Sequence, residues 1–390
     1  MSTPTLELAD IFRKHGPAYR QAHSLPLHQL RLMHAIEVCR TPELGVVVEY
    51  CDHCQYTHTR YRSCCNRHCP KCQGLACAKW LEKRQAELLP TEYFHVVFTL
   101  PEPIANIAFY NKDTVYDILF RATAETLLTI AADPQRLGME LGFFCVLHTW
   151  GQNLHFHPHL HCVVPGGGLS ADSQRWIAGR RRFFLPVKVL SQLFRRLFLV
   201  ALEKAYAQGE LQFFGELHHL HHPQLFADYL APLHRSEWVV YAKAPFGGPP
   251  HVIQYLGRYT HRVAISNQRL LAMENDQVSF RWKDYRDRAK DKVMTVAAEE
   301  FIRRFLQHAL PPGFQRIRYY GFLANCHRAR KLELCRQLLA TWCSALLPSL
   351  IDCRDFIRAL AGKNVRRCPQ CSTGILVCIQ FLPPLRMDSS

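Results

Sequence analysis

The sequence has no run of about 18 consecutive apolar residues, so nothing in it reads as a membrane-spanning helix. Residues 1–20 lack the charged, apolar and small-residue order of a secretory signal, which leads us to expect a cytoplasmic, nucleoid-associated protein and no membrane partner. There is no internal repeat and no low-complexity tract, so neither a solenoid nor a disordered polar chain is in view. Acid is scarce: 32 Asp plus Glu face 48 Lys plus Arg, a formal charge of +16. That imbalance calls for a polyanionic partner, nucleic acid before an anionic membrane surface.

What is plentiful is apolar surface and cysteine. With 390 residues and 48% hydrophobic content the chain can bury a real core, as one large domain or two to three small ones. Its 17 cysteines, with no export signal, read as thiols and metal ligands rather than disulfides. Six fall between Cys51 and Cys72, and most others lie in apolar segments as core thiols.

Helical apolar spacing appears over 6–14 and 27–40, and again over 73–89, closed by Pro90. From there the pattern reads strand 93–100, helix 104–131, strand 141–149, strand 159–165, helix 187–207, strand 237–242. This β-α-β-β-α-β series is the split-βαβ, ferredoxin-like order. A short helix over 251–262 follows, then a hairpin (278–282 and 292–296) and amphipathic helices over 298–308 and 328–347. The expected fold is α+β in three parts: N-terminal helices with a zinc-binding domain (1–90), a catalytic antiparallel sheet with its tyrosine helix (91–270), and a mostly helical C-terminal extension (271–390).

In Cys51-Asp-His-Cys54 and Cys69-Pro-Lys-Cys72, two CxxC turns each present a pair of thiolates, the layout of a four-thiolate structural Zn²⁺ site. Cys64, Cys65 and His68 compete for places in that quartet. Arg67 and Lys71 crowd the same knuckle and are candidate DNA contacts, although a solvated basic face looks the same in sequence. A further pair, Cys368 and Cys371 with Cys378 nearby, is half of a second zinc site without an obvious partner pair.

His159 and His161 flank Leu160 on a strand, so both imidazoles leave the same sheet face. His148, on the preceding antiparallel strand, has the parity to sit opposite His159, and a three-histidine site for Mg²⁺ or Mn²⁺ follows. His155 and His157 are substitutes for the third ligand or DNA contacts, and Gln152 is another candidate ligand.

Tyr255 and Tyr259, at i and i+4, share one helix face beside Arg258, His261 and Arg262. An aromatic stripe of this spacing is ordinarily core packing, but the cationic neighbours argue for phenols that meet a phosphate. Lys243, on or just after the preceding strand, could neutralise charge at that phosphate or be a simple surface lysine.

The stretches SCCNRHCPKCQ (63–73), HTWGQ with HPHLHCVVPGGGL (148–169), YAKAPFGG (241–248) and YLGRYTHRVAISNQRL (255–270) resemble the rolling-circle insertion-sequence transposases of the two-tyrosine HUH class, with their N-terminal zinc-binding domain. FRWKDYRD (280–287), EEFIRRFLQHALPPGF (299–314) and RYYGFLAN (318–325) extend the likeness over about residues 10 to 345. The resemblance implies that His159 and His161 hold the catalytic metal, that Tyr255 and Tyr259 are nucleophiles, and that the substrate is an element end, single-stranded or a hairpin. A plasmid relaxase or replication initiator shares this chemistry, and a non-enzymatic zinc-dependent DNA-binding regulator is the alternative without it.

Overall fold

The computed structural model describes residues 6–85, 87–179, 185–243, 262–285, 287–340 and 367–384. Tyr255, Tyr259, Arg258 and His261, and with them the expected tyrosine helix up to Arg262, lie outside the described residues. Among those described, no helix is long and apolar enough to cross a membrane.

Helices α1 (Leu8–Ala22) and α2 (Leu27–Glu37) lead to strands β1 (Val46–Cys51) and β2 (Thr57–Tyr61) and helix α3 (Gln73–Gln85). Then come β3 (Tyr93–Thr99), α4 (Glu102–Tyr110), α5 (Lys112–Ala132), β4 (Gly142–Trp150) and β5 (Phe156–Pro165). A short pair, β6 (Gly167–Leu169) and β7 (Trp176–Ala178), precedes α6 (Val187–Ala207), α7 (Pro223–Arg235) and β8 (Val240–Lys243). The C-terminal part holds β9 (Leu270–Glu274), β10 (Gln277–Asp284), β11 (Lys290–Ala297), α8 (Ala298–Leu306), β12 (Ile317–Gly321), α9 (Arg328–Ala340) and β13 (Leu376–Leu382).

The central sheet has five antiparallel strands in the order β12-β4-β5-β3-β8. Alternation divides its faces cleanly. Phe94, Val96 and Phe98 of β3, Cys145 and Leu147 of β4, and Leu160, Cys162 and Val164 of β5 point into one core with α4 to α7. Helix α6 meets them through Leu190, Phe194, Phe198 and Leu202, a stripe at four-residue spacing. Each such buried Leu or Phe contributes about 1.5–3 kcal/mol, which makes this face the anchor of the sheet. The opposite face bears the histidines and is covered in part by α3, whose Cys77, Leu81 and Trp80 pack on Phe144, Val146 and Val163.

Several expectations are corrected. The single helix over 104–131 is two, broken at Asn111, where the side chain donates to the Ile107 and Gln212 carbonyls (2.9 and 2.8 Å) and accepts from the Gln212 amide (2.7 Å). Those bonds to a distant loop replace helical ones. The hairpin near 280 gains a third strand, β9. One hydrophobic cluster also draws on segments far apart in the chain. Leu8, Phe12, Met33 and Ile36 of α1 and α2 share one cluster with Phe280, Phe301 and Phe305, and the Phe12 and Phe305 rings meet edge-on at 5.5 Å. The C-terminal strand β13 pairs with β1, from Val46 opposite Leu382 to Cys51 opposite Leu376, so a strand near the C-terminus completes a small sheet in the N-terminal region.

Candidate metal centre

The register of the central sheet decides which side chains meet. His148 on β4 lies directly opposite His159 on β5, and Val146 and Val97 flank His161 from either side. One ligating nitrogen from each of His148, His159 and His161 falls within 4.8 Å of the other two. The ladder shifts register between His148 and Trp150, a bulge one residue past the first histidine, and the Trp150 ring stacks on His148 at 4.8 Å.

Each ring is held from behind. His159 Nδ1 donates to the His157 carbonyl at 2.6 Å, which turns Nε2 toward His161 Nε2 at 3.1 Å. His161 Nδ1 meets Nε2 of His95 at 2.8 Å, the two rings nearly parallel. His95 is 4% exposed, and the sequence reading passed over it. Burial, first, and neighbouring imidazoles, second, hold the His161 pKa well below the ordinary value, and burial brings His159 to about 4. Neutral imidazoles are the ligating form, so the geometry and the protonation agree.

Positive charge surrounds this face. Lys243 on β8 sits opposite His95, on the same face as the cluster. Arg262 lies close enough to His159 and His161 to depress both, and its carbonyl accepts from Arg316 at 3.2 Å. The other candidate DNA contacts are otherwise engaged: Arg67 donates to the Phe314 carbonyl at 2.7 Å, and Lys71 pairs with Glu7 at 2.7 Å. Both tie the knuckle to other segments of the chain.

The cysteines gather differently from the quartet Cys51, Cys54, Cys69 and Cys72. One cluster is Cys39, Cys64, Cys69 and Cys72; the other is Cys51, Cys54, Cys368 and Cys371. Neighbouring sulfurs stand 3.5 to 3.6 Å apart in the first and 3.6 to 3.7 Å in the second. A disulfide needs about 2.05 Å, whereas four thiolates at about 2.3 Å from one tetrahedral ion stand about 3.8 Å apart. Backbone amides point at the same sulfurs: His53 and Cys54 at Cys51, Asn66 at Cys64, Gln370 at Cys368 and Gly374 at Cys371. A Cβ on Gly374 would come within 2.4 Å of Cys51 Sγ, so only glycine allows this approach.

Of the alternates, Cys64 therefore belongs with a thiol cluster and His68 does not. The His68 ring turns away, taking the Leu310 amide on Nε2 at 3.4 Å, and Cys65 is exposed beside Ser63. Cys39 was missed because a lone buried cysteine ending a helix reads as a core thiol.

Histidines converging on an antiparallel sheet beside four-thiolate clusters, in a strongly basic chain, define a metal-binding protein that acts on nucleic acid. The comparisons make the class specific. Residues 142–331 match a family model described as "Putative transposase", and residues 11–100 match a "Transposase zinc-binding domain". The chain is 58% identical over 394 residues, 98% of each chain, to "Putative transposase y4qJ" of Sinorhizobium fredii. It is 30% identical over 302 residues, 74% of this chain and 68% of the relative, to the transposase for insertion sequence element IS801 of Pseudomonas savastanoi pv. phaseolicola. The chain belongs to the IS91/IS801 family of transposases. No solved structure matches it. The matched zinc-binding domain and the thiol clusters together support structural zinc.

Proposed function

We propose that His148, His159 and His161 hold one divalent ion and that Tyr255 and Tyr259 cut and rejoin a single DNA strand at this centre during rolling-circle-like transposition. The observation that supports this most is the convergence of three buried or half-buried imidazoles on one sheet face, beside Lys243 and Arg262. An all-imidazole donor set suits Mn²⁺ better than Mg²⁺, which prefers oxygen. Such an ion supplies Lewis-acid polarisation of a phosphate and charge stabilisation at the departing oxygen. The side-by-side order β4-β5-β3-β8 supports an HUH-type reading with split-βαβ order.

In the step itself a tyrosine gives up its phenolic proton and its oxygen bonds to phosphorus as the bond from phosphorus to the 3′ oxygen breaks; that oxygen takes up one proton in exchange and leaves as a 3′-hydroxyl. The 5′-phosphotyrosine keeps the bond energy, so attack by a 3′-hydroxyl rejoins the strand and releases the tyrosine. The chain's own cations, Lys243 and Arg262, bind and orient the phosphate; His95 and the His157 carbonyl fix the imidazoles. Two four-thiolate Zn²⁺ sites, Cys39-Cys64-Cys69-Cys72 and Cys51-Cys54-Cys368-Cys371, hold the flanking regions in place.

The test is a covalent adduct. A 3′-labelled single strand bearing an element end, incubated with the protein and Mn²⁺, should migrate with the protein under denaturing conditions. Tyr255→Phe/Tyr259→Phe should lose the adduct and keep DNA binding. No adduct from the unaltered protein on any element-end strand would leave a DNA-binding regulator in place of a strand-cutting enzyme.

A further inference from the structure

Beside the histidine cluster opens a cavity of about 1080 Å³. Its floor is residues 151–157, the turn and first two residues of the strand that carries His159 and His161. The junction is close, because His157 lines this floor and its carbonyl accepts from His159 Nδ1 at 2.6 Å. Helix α4, the segment 214–217, the end of β10 and helix α8 form the walls.

Aromatic rings dominate those walls. Phe214 meets Tyr110 at 5.5 Å between ring centres, Tyr110 meets Phe109 at 5.1 Å, and Phe109 meets Phe156 at 5.6 Å. The result is a chain of rings running from the rim to the strand that leads to the metal ligands. Its outer members are open: Tyr110 is 42% exposed, Phe214 51%, and Tyr285 on the β10 wall 68%. Large aromatic faces left to solvent this close together mark a binding surface rather than leftover core.

The charge of the cavity selects how a ligand is held. Lys283, Arg303 and Arg304 line it, and so do Glu102, Glu216 and Asp284, which leaves it close to neutral in a chain of formal charge +16. Asp284 is tied to Lys292 at 2.8 Å. Arg303 and Arg304 both pair with Glu300, so recognition here must come from ring faces, with Lys283 meeting a backbone, rather than from a phosphate-binding stripe. Bases of a single strand present such faces and a duplex keeps its own stacked away.

We propose that this cavity is the track for a single DNA strand, whose bases stack on the Tyr110 and Phe214 rings and whose backbone passes His157 to reach the histidine cluster. Where the strand leads rests on the strand-cutting reading of that cluster; that bases stack in the cavity does not.

The experiment measures binding of a fluorescein-labelled oligothymidylate to the full chain by anisotropy, with no Mn²⁺ or Mg²⁺ added. Tyr110→Ala/Phe214→Ala should bind roughly tenfold or more weakly, the loss expected when stacking partners are removed. Tyr110→Phe/Phe214→Tyr, which keeps both rings, should bind like the unaltered protein. An oligonucleotide of equal charge with abasic positions should weaken binding to the unaltered protein and leave the alanine variant little further to lose. Duplex affinity should be unchanged. Equal affinity of the alanine variant and the unaltered protein overturns the proposal, as does an equal loss for duplex. If the ring dependence is found and no covalent adduct ever forms with Mn²⁺, the strand-cutting reading fails and the stacking track stands.

Discussion

Replacing Cys368 and Cys371 together by Ser tests whether zinc holds the end of the chain on its beginning. Strand β13 has seven residues, and ordering each costs roughly 1–2 kcal/mol of backbone entropy, about 10 kcal/mol in all. Its ladder with β1 returns about 0.5–1.5 kcal/mol per hydrogen bond. Its apolar side chains stay largely open, Val377 50% exposed, Ile379 60% and Phe381 48%, so half-burial adds only about 1 kcal/mol each. Those gains roughly equal the cost and leave docking near balance. A structural zinc ion, at about 10–16 kcal/mol of apparent binding energy, decides it. The unaltered chain should release two zinc ions per molecule on denaturation in a chromogenic assay, and Cys368→Ser/Cys371→Ser one. Amide exchange should then accelerate at least roughly a hundredfold along Leu376–Leu382 and Val46–Cys51, the equivalent of about 2.8 kcal/mol, and stay slow in β3 to β5. Two zinc ions in the variant, or unchanged exchange in β13, would refute the reasoning.

Two further outcomes are expected. His95→Phe keeps a ring against His161 but removes the acceptor on Nε2, so Mn²⁺ affinity by calorimetry should fall roughly 10- to 100-fold, as for lost partners of metal ligands, and His95→Gln should restore part of it; undiminished affinity in His95→Phe would remove His95 from the centre. His308, 2% exposed and held by the Leu154 carbonyl and Thr149, has its pKa pushed down by burial from 6.5 to about 3. Its contribution is therefore complete above pH 6.5 and lost as pH falls through 3, because below 6.5 the unfolded chain takes up a proton that the folded chain refuses. At pH 5 that amounts to about 2 kcal/mol, and His308→Gln should lessen the fall in unfolding free energy, measured by denaturant titration, between pH 7 and 5 by about this much. An unchanged slope would show that His308 is protonated without cost.

The parts of this protein that local pattern specifies were legible in its sequence. Strand parity alone places His159 beside His161, and the short hairpin brings His148 opposite, as the register bears out. Thiol partnership was not legible, because it is tertiary. Cys51-x-x-Cys54 and Cys368-x-x-Cys371 are identical half-sites more than 300 residues apart, and only the β1–β13 pairing shows that each completes the other. His95 hid for the same reason: it is one histidine in an apolar strand, and its value depends on β3 lying beside β5. The break at Asn111 was likewise invisible, since the bonds that compensate it come from Gln212, about a hundred residues on.

The two thiol clusters act on different parts of the molecule. Cys72 is followed immediately by Gln73, the first residue of α3, and Gln73 is pinned to the Asn66 carbonyl inside the same knuckle at 3.1 Å. Where α3 begins is therefore set by the cluster of Cys39, Cys64, Cys69 and Cys72. Helix α3 in turn lies on the histidine face of the central sheet, with Trp80 edge-on to Phe144 at 5.8 Å and Arg84 over the ring of Tyr319. An ion in that cluster fixes the roof over the strands that carry His148 and His161, whereas the cluster of Cys51, Cys54, Cys368 and Cys371 acts through the small sheet that β13 completes. The first is coupled to the candidate catalytic centre by helix α3. Among the described residues the second is joined to the first by the short connections from Cys39 to β1 and from β2 to Cys64, so its loss should release β13 from β1 and leave the histidines where they are.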